Sequence, residues 1–168
     1  MINWIFFPRS FKPPKIAESV VACFERVLPY IDSTKHKHGS DKVLSYMAPE
    51  LLKIGFRVEN GKRKVDKIVV PVLFGAQGKI EKSFQADAYN ETEKFVLEIE
   101  AGRAFTNNQF LKDLFQASTM NEVEYLAIAV RNVYSSQRDF DLILRFLDTL
   151  YASNRLHLPL KGVLLLGY

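Results

Sequence analysis

Apolar positions recur with two different periods along this chain, and the switches between them mark its elements. From Ile16 through Val20, Phe24, Val27 and Leu28 the spacing is three or four, which predicts a helix with proline in its first turn (Pro13-Pro14) and its end at Pro29. Ile31 to Gly39 is polar and reads as a loop. Ser40 is placed to cap a second helix, with Asp41 in its first turn. Val43, Leu44, Met47, Leu51 and Leu52 carry that helix to Gly55, and Pro49 inside it predicts a kink or a new segment. The period then drops to two. Phe56 to Glu59 reads as a short strand, Asn60-Gly61 as a turn, the β-branched run Val65 to Leu73 as a strand, and Gly75 to Gly78 as a loop.

The alternation is clearest in Gln85 to Tyr89 and Phe95 to Glu100, which read as a β-hairpin. Side chains alternate along a strand, so Gln85, Asp87 and Tyr89 share one face with Val96, Glu98 and Glu100. Phe84, Ala86, Ala88, Phe95, Leu97 and Ile99 form the core side. A tight loop at Glu91-Thr92 would pair Asp87 with Val96 and Gln85 with Glu98. Three carboxylates then stand on one side of the sheet, where they repel unless positive charge sits between them. Hard divalent cations with oxygen ligands supply it.

Gly102 breaks the second hairpin strand, and Thr106 or Asn107 can cap a helix carrying Phe110, Leu111, Leu114 and Phe115. Tyr125 to Val130 is a continuous apolar run, as expected of a strand buried on both faces. Ser136 and Asp139 have the spacing of a capping box before a helix through Phe140, Ile143, Leu144, Leu147, Leu150 and Tyr151. Gly162 to Leu166 is a last strand. The order is helix, helix, three or four strands, helix, strand, helix, strand. It predicts an α/β protein with a mixed central sheet flanked by helices.

The chain's 168 residues suit a single domain, and 48% apolar composition gives it a substantial core. No stretch has the length of a membrane span, so no membrane association is expected. Cys23 is the only cysteine; this excludes an internal disulfide and a cysteine zinc cluster, and a reducing cytoplasmic setting is the simplest reading. The start, Met1 to Pro8, is apolar but lacks the basic leader and cleavage site of a signal peptide. The net charge of +4 hides an asymmetry: residues 1–82 hold fifteen Lys/Arg against eight Asp/Glu, and residues 83–168 hold eight against eleven. A basic half beside an acidic hairpin suits a protein that holds a phosphate backbone with cations and a metal with carboxylates. Solvated lysines that keep a small protein soluble give the same composition.

This order of elements, with D-x10-E-x-E at Asp87, Glu98 and Glu100, resembles the PD-(D/E)XK nuclease superfamily, to which type II restriction enzymes belong. The resemblance covers about residues 40–130. It implies a restriction endonuclease-like α-β-β-β-α-β core, with the N-terminal helix and the C-terminal helix and strand as additions. Ser40 to Gly55 would be the first core helix, Asn107 to Met120 the crossover helix and Tyr125 to Val130 the fourth strand. Asp87 matches the family's Asp and Glu98 the acid of the (D/E)XK element. Glu100 stands in the usual lysine position, an E-x-E form similar to that of a minority of restriction enzymes.

The resemblance implies Mg²⁺, with Mn²⁺ as a substitute, held by Asp87, Glu98 and the carbonyl of Ile99, with Glu50 as an acid from the first core helix. Glu100 would accept a proton from water, and Lys112 on the crossover helix is a substitute for the missing lysine. Arg103 would hold a phosphate or balance the acids. Some of Lys35, Lys37, Lys42, Lys62, Arg63 and Lys64 would contact the DNA backbone, and Gln109 and Gln116 phosphates or base edges. His36 and His38 lack a third metal ligand and read as DNA-facing or merely exposed. The function implied is Mg²⁺-dependent endonucleolytic cleavage of double-stranded DNA, with a homodimer suited to cutting both strands; Trp4 to Phe7 is one candidate interface, or packs equally on the chain's own core. A catalytically silent relative that binds nucleic acid or a protein partner is the alternative, and an acidic surface hairpin on an unrelated α/β protein is the third.

Overall fold

The computed structural model describes residues 1–61 and 63–168; Lys62, one of the expected phosphate contacts, lies outside the described residues. The elements in chain order are β1 (Asn3–Phe7), α1 (Lys15–Ile31), α2 (Ser40–Lys53), β2 (Arg57–Val58), β3 (Ile68–Phe74), β4 (Ile80–Ala86), β5 (Ala88–Asn90), β6 (Phe95–Glu100), α3 (Gln109–Thr119), β7 (Tyr125–Val130), α4 (Asp139–Ser153) and β8 (Gly162–Gly167). Six strands form a mixed sheet in the order β1-β8-β7-β6-β5-β2, and β3 with β4 forms a separate two-stranded sheet. Parallel pairing of β6, β7 and β8 follows from the crossover helices α3 and α4, while β1, β2 and β5 pair antiparallel.

The sheet separates two cores. On one face α1 and α2 bury Val20, Phe24, Val43 and Met47 against Phe95, Leu97 and Ile99. On the other, α3 and α4 bury Phe110, Leu114, Ile143 and Leu147 against Val96, Leu126 and Ile128. β7 lies at the centre with Leu126 to Val130 fully buried, which explains its unbroken apolar run.

Several local expectations change. The N-terminal apolar run is a strand: β1 pairs with β8, and Phe6 and Phe7 are buried in the chain's own core. Those two side chains are therefore spent within the chain, and only Trp4 of the expected interface is substantially exposed. α1 passes through Pro29 to Ile31, and α2 runs unbroken through Pro49. Burial of Ile31, and of Met47 and Leu51 on either side of Pro49, outweighs the lost backbone bonds. Gly39, not Ser40, sits at the boundary of α2, and neither α3 nor α4 has a side-chain cap, so the capping box at Ser136 does not form. Gly55 does stop α2, with φ +87° and Asn90 Nδ2 donating to Ile54 O at 3.0 Å.

Five strands, not three or four, lie between α2 and α3, because the first hairpin strand is broken in two at Asp87. β4 pairs with β3; after the bend at Asp87, β5 pairs with β6. Ala88 joins the α1–α2 core, whereas Phe84 and Ala86 face the α3–α4 core, so the expected common face of these three does not exist. The hairpin register is also shifted by two, with Tyr89 opposite Val96 and a longer turn between Asn90 and Phe95. A shift of two keeps each side chain on its face. It brings Asp87 level with Glu98.

Candidate active site

A cleft of about 490 Å³ opens where the sheet splits, lined by Asp87 and Glu98 with Ser83 to Ala86 of β4, Lys112 and Gln116 of α3, and Asp41, Glu59 and Lys67 at its mouth. Glu98 reaches it because β6 must bury Leu97 and Ile99 on the opposite face. Asp87 reaches it because the bend is fixed twice. Glu59 N–H donates to Asp87 O at 2.8 Å, and Ile99 N–H donates to Asp87 Oδ2 at 2.7 Å. The second bond turns the backbone of Ile99 toward the cleft beside Asp87.

The acids are held in an environment that opposes ionisation. Burial pushes Asp87 up to about 6, against the Ile99 hydrogen bond and reinforced by Glu59 and Glu100. Burial, then the neighbouring Asp87 and Asp113, pushes Glu98 well above the carboxylate range. Glu100 is also raised by burial. Asp113, on the buried face of α3, is only 2% exposed. Burial and Glu100 push it up to about 8. Asp113 and Glu100 approach to hydrogen-bonding range, an arrangement attractive only when a proton is shared. Without that proton, Asp113 Oδ2 is a buried oxygen with no partner. Lys112 is a counter-charge to this group, with its Nζ 3.6 Å from Asp113 Oδ1 and half-exposed, while Lys67, across the cleft, is engaged by Glu59.

Asp87, Glu98, Ile99, Glu100 and Lys112 therefore come together, and Gln116 joins them. Glu50 does not. Its carboxylate accepts from Arg26 Nε at 2.6 Å and from Lys53, which hold it ionised on the α1 side of α2. The acid that α2 does bring to the cleft is Asp41, at its first turn. Gln109 and Arg103 do not line the cleft. Arg103 is exposed at a left-handed φ of 60° in the connection to α3. Arg63 is engaged by Asp66, at 2.9 and 3.1 Å, and Lys64 is exposed nearby.

The sequence reading does not bring Asp41 and Glu59 to the cleft, nor Asp113 against Glu100. For Asp113 a signal existed: it shares the 3–4 spacing of Phe110, Leu114 and Ala117, an acid on an apolar helix face. For Asp41 and Glu59, only the tertiary arrangement brings them to the cleft.

Among the described residues, no three His, Cys, Asp or Glu side chains close into a cage for an ion. The donor chemistry still fits a magnesium-like cation, which keeps several waters and takes only one or two carboxylates from protein. Asp87 and Glu98 are such a pair, under-neutralised by their surroundings, with Asp113 Oδ2 orphaned behind them.

No family model matches the sequence, and no curated protein does. Among solved structures, the chain is similar to the crystal structure of restriction endonuclease BglII complexed with a DNA 16-mer. The two share 13% identity and a TM-score of 0.50, over 99% of this chain and 75% of that one. The chain has a restriction endonuclease-like α/β fold. No helix among the described residues is long and apolar enough to cross a membrane.

Proposed function

We propose that this protein is a Mg²⁺-dependent endonuclease that hydrolyses phosphodiester bonds in double-stranded DNA. One observation carries the reading: on a restriction endonuclease-like sheet, Asp87 and Glu98 share a cleft in which burial and each other's proximity disfavour both charges. Asp87, Glu98 and the Ile99 carbonyl would hold the metal, and Mn²⁺ would substitute. When bound, the cation would stabilise charge on the phosphoryl group and raise the acidity of a water. Glu100, in place of the usual lysine, accepts a proton from the attacking water, and its contact with Asp113 fixes its orientation. Lys112 and Gln116, one turn apart on α3, contact the scissile phosphate from the cleft wall.

The basic half holds the DNA backbone through Lys62, Arg63 and Lys64. A homodimer would present two such clefts to the two strands, and the lone buried Cys23 suits a cytoplasmic protein. A catalytically silent DNA-binding relative is the second reading. It is favoured by Lys112, which pairs with Asp113 and so is not a free substitute for the missing lysine.

The test is nicking of supercoiled plasmid with Mg²⁺ or Mn²⁺ by wild type, Asp87→Asn and Glu98→Gln, each checked for folding. Cleavage by wild type alone supports the nuclease. No cleavage by any of them, with retained DNA binding, selects the silent relative. Replacing Lys62, Arg63 and Lys64 by alanine should flatten the log–log salt dependence of DNA affinity by up to about three contacts, each worth about 0.9.

A further inference from the structure

The segment that leads into α2 carries a feature that cleavage chemistry does not use. Four aromatic rings form a continuous row along α1, α2 and the loop between them. Tyr30 of α1 stacks on Tyr46 of α2 at 5.7 Å between centroids and 18° between planes. Tyr46 meets His38 at 5.7 Å, and His38 stacks on His36 at 5.1 Å and 6°. The row is held from several sides. His36 Nε2 lies 3.1 Å from Pro29 O, and the largely buried Arg131 donates to His38 O from the end of β7. Helices supply Tyr30 and Tyr46. The row is therefore preorganised, and a ligand need not order it on binding.

Its surroundings are cationic. Lys42 Nζ sits 4.7 Å from the centroid of Tyr46, and Lys37 and Lys35, the latter 3.7 Å from Asp32 Oδ2, flank the histidines on the exposed side of the loop. The terminal ring, Tyr30, is 58% exposed, far more than packing of two helices requires. Asp41, which lines the cleft, directly precedes Lys42. A strand leaving the cleft along the start of α2 would meet lysines for its phosphates and, because the inner rings stack on one another, the open face of the end ring Tyr30 for a base.

Rows of aromatic rings among cations take unpaired bases, because each base has a π-face and stacking needs no sequence. Paired bases cannot use them, since their faces are already stacked within the duplex. We infer that the Tyr30–Tyr46–His38–His36 row is a binding site for unpaired nucleotides flanking the duplex, so that the preferred substrate carries a single-stranded segment beside the paired one. This rests on the nucleic-acid reading but not on cleavage.

The test is equilibrium binding in EDTA by fluorescence anisotropy, using Asp87→Asn protein so that no cleavage intervenes. The probes are a labelled blunt duplex, the same duplex with a five-nucleotide 5′ or 3′ thymidine tail, and the same tails built from abasic sites. One tailed duplex should bind about tenfold tighter than the blunt one, and abasic tails should lose that gain, as expected from loss of one or two stacked bases. Adding Tyr30→Ala should remove the tail's advantage while leaving blunt-duplex affinity within about twofold; Tyr30→Phe should restore it. Tails that add nothing, abasic tails that bind as well as thymidine tails, or an unchanged tail advantage in Tyr30→Ala would each overturn the inference. Absence of binding to every probe would instead sink the nucleic-acid reading beneath it. Absence of metal-dependent cleavage with the tail preference intact would sink only the nuclease.

Discussion

Glu50 and Glu98 are both glutamates on core elements, and their surroundings drive them in opposite directions. Glu50 sits between Lys53 and Arg26, whose hydrogen bonds lower its pKa below the ordinary value. Glu98 is buried with Asp87 and Asp113 for neighbours and only Lys112 to offset them, and its pKa is raised. The first arrangement is complete: each charge has its partner, and nothing further is recruited. The second is incomplete, because a buried carboxylate without compensation costs far more than a solvated one. A charge balance left incomplete in a cleft marks a candidate functional group better than residue type does.

The largest expected effect tests that contrast at the level of activity. Glu98→Gln and Asp87→Asn should each lower metal-dependent plasmid cleavage by at least about a hundredfold, whereas Glu50→Gln should stay within about twofold. Equal losses at Glu50 and Glu98 would erase the distinction. Metal binding gives the next effect. Wild type unfolded by urea at a free Mg²⁺ or Mn²⁺ concentration about a hundred times its dissociation constant should gain about 2.7 kcal/mol. Glu98→Gln should lose this gain and Glu50→Gln should keep it.

The pH dependence sharpens the comparison further. Asp87 and Asp113 have native pKa values of about 6 and about 8, above the 3.8 of an unperturbed aspartate. Between these limits the native state binds more protons than the unfolded chain, so stability falls as pH rises. Without metal the slope should approach about −1.4 kcal/mol per pH unit for each such group while it titrates. Asp87 contributes from about pH 4 to 6 and Asp113 from about pH 4 to 8. Denaturation curves at pH 5, 6, 7 and 8 should show the decline. Asp113→Asn should flatten its upper part and exceed wild type in stability at pH 8, since it removes a buried acid that must otherwise ionise or hold a proton. A wild-type profile that rises over this range would mean that the cleft acids are already compensated. The smallest effect belongs to Glu50→Gln, a slight fall in Tm at pH 7 from loss of exposed pairs.

Much of this is legible in the sequence. The 3–4 spacings gave α1, α2, α3 and α4, the long apolar run gave β7, and alternation placed Glu98 and Glu100 on the face opposite Leu97 and Ile99. Helix ends were less legible. Proline, serine and aspartate signals at Pro29, Ser40 and Ser136 describe what an isolated segment prefers, and burial of a few apolar side chains is worth more than a cap. β1 was overlooked because a five-residue apolar run has no period of its own; it becomes a strand only by pairing with β8 at the far end of the chain.

The sequence by itself determined the parity of β6, the two apolar helix faces that sandwich the sheet, and the concentration of acid on one hairpin. These are local consequences of side-chain volume and of the fixed periods of helix and strand, which no partner can change. Tertiary structure decided the rest. It chose Asp41 over Glu50 as the α2 acid near the cleft, because Arg26 and Lys53 claim Glu50. It brought Asp113 against Glu100, and it bent the chain at Asp87 so that one carboxylate could leave β4 and face Glu98. Charge compensation depends on which groups meet across elements far apart in the chain, and on how much water they lose in meeting. Both quantities exist only once the chain is folded.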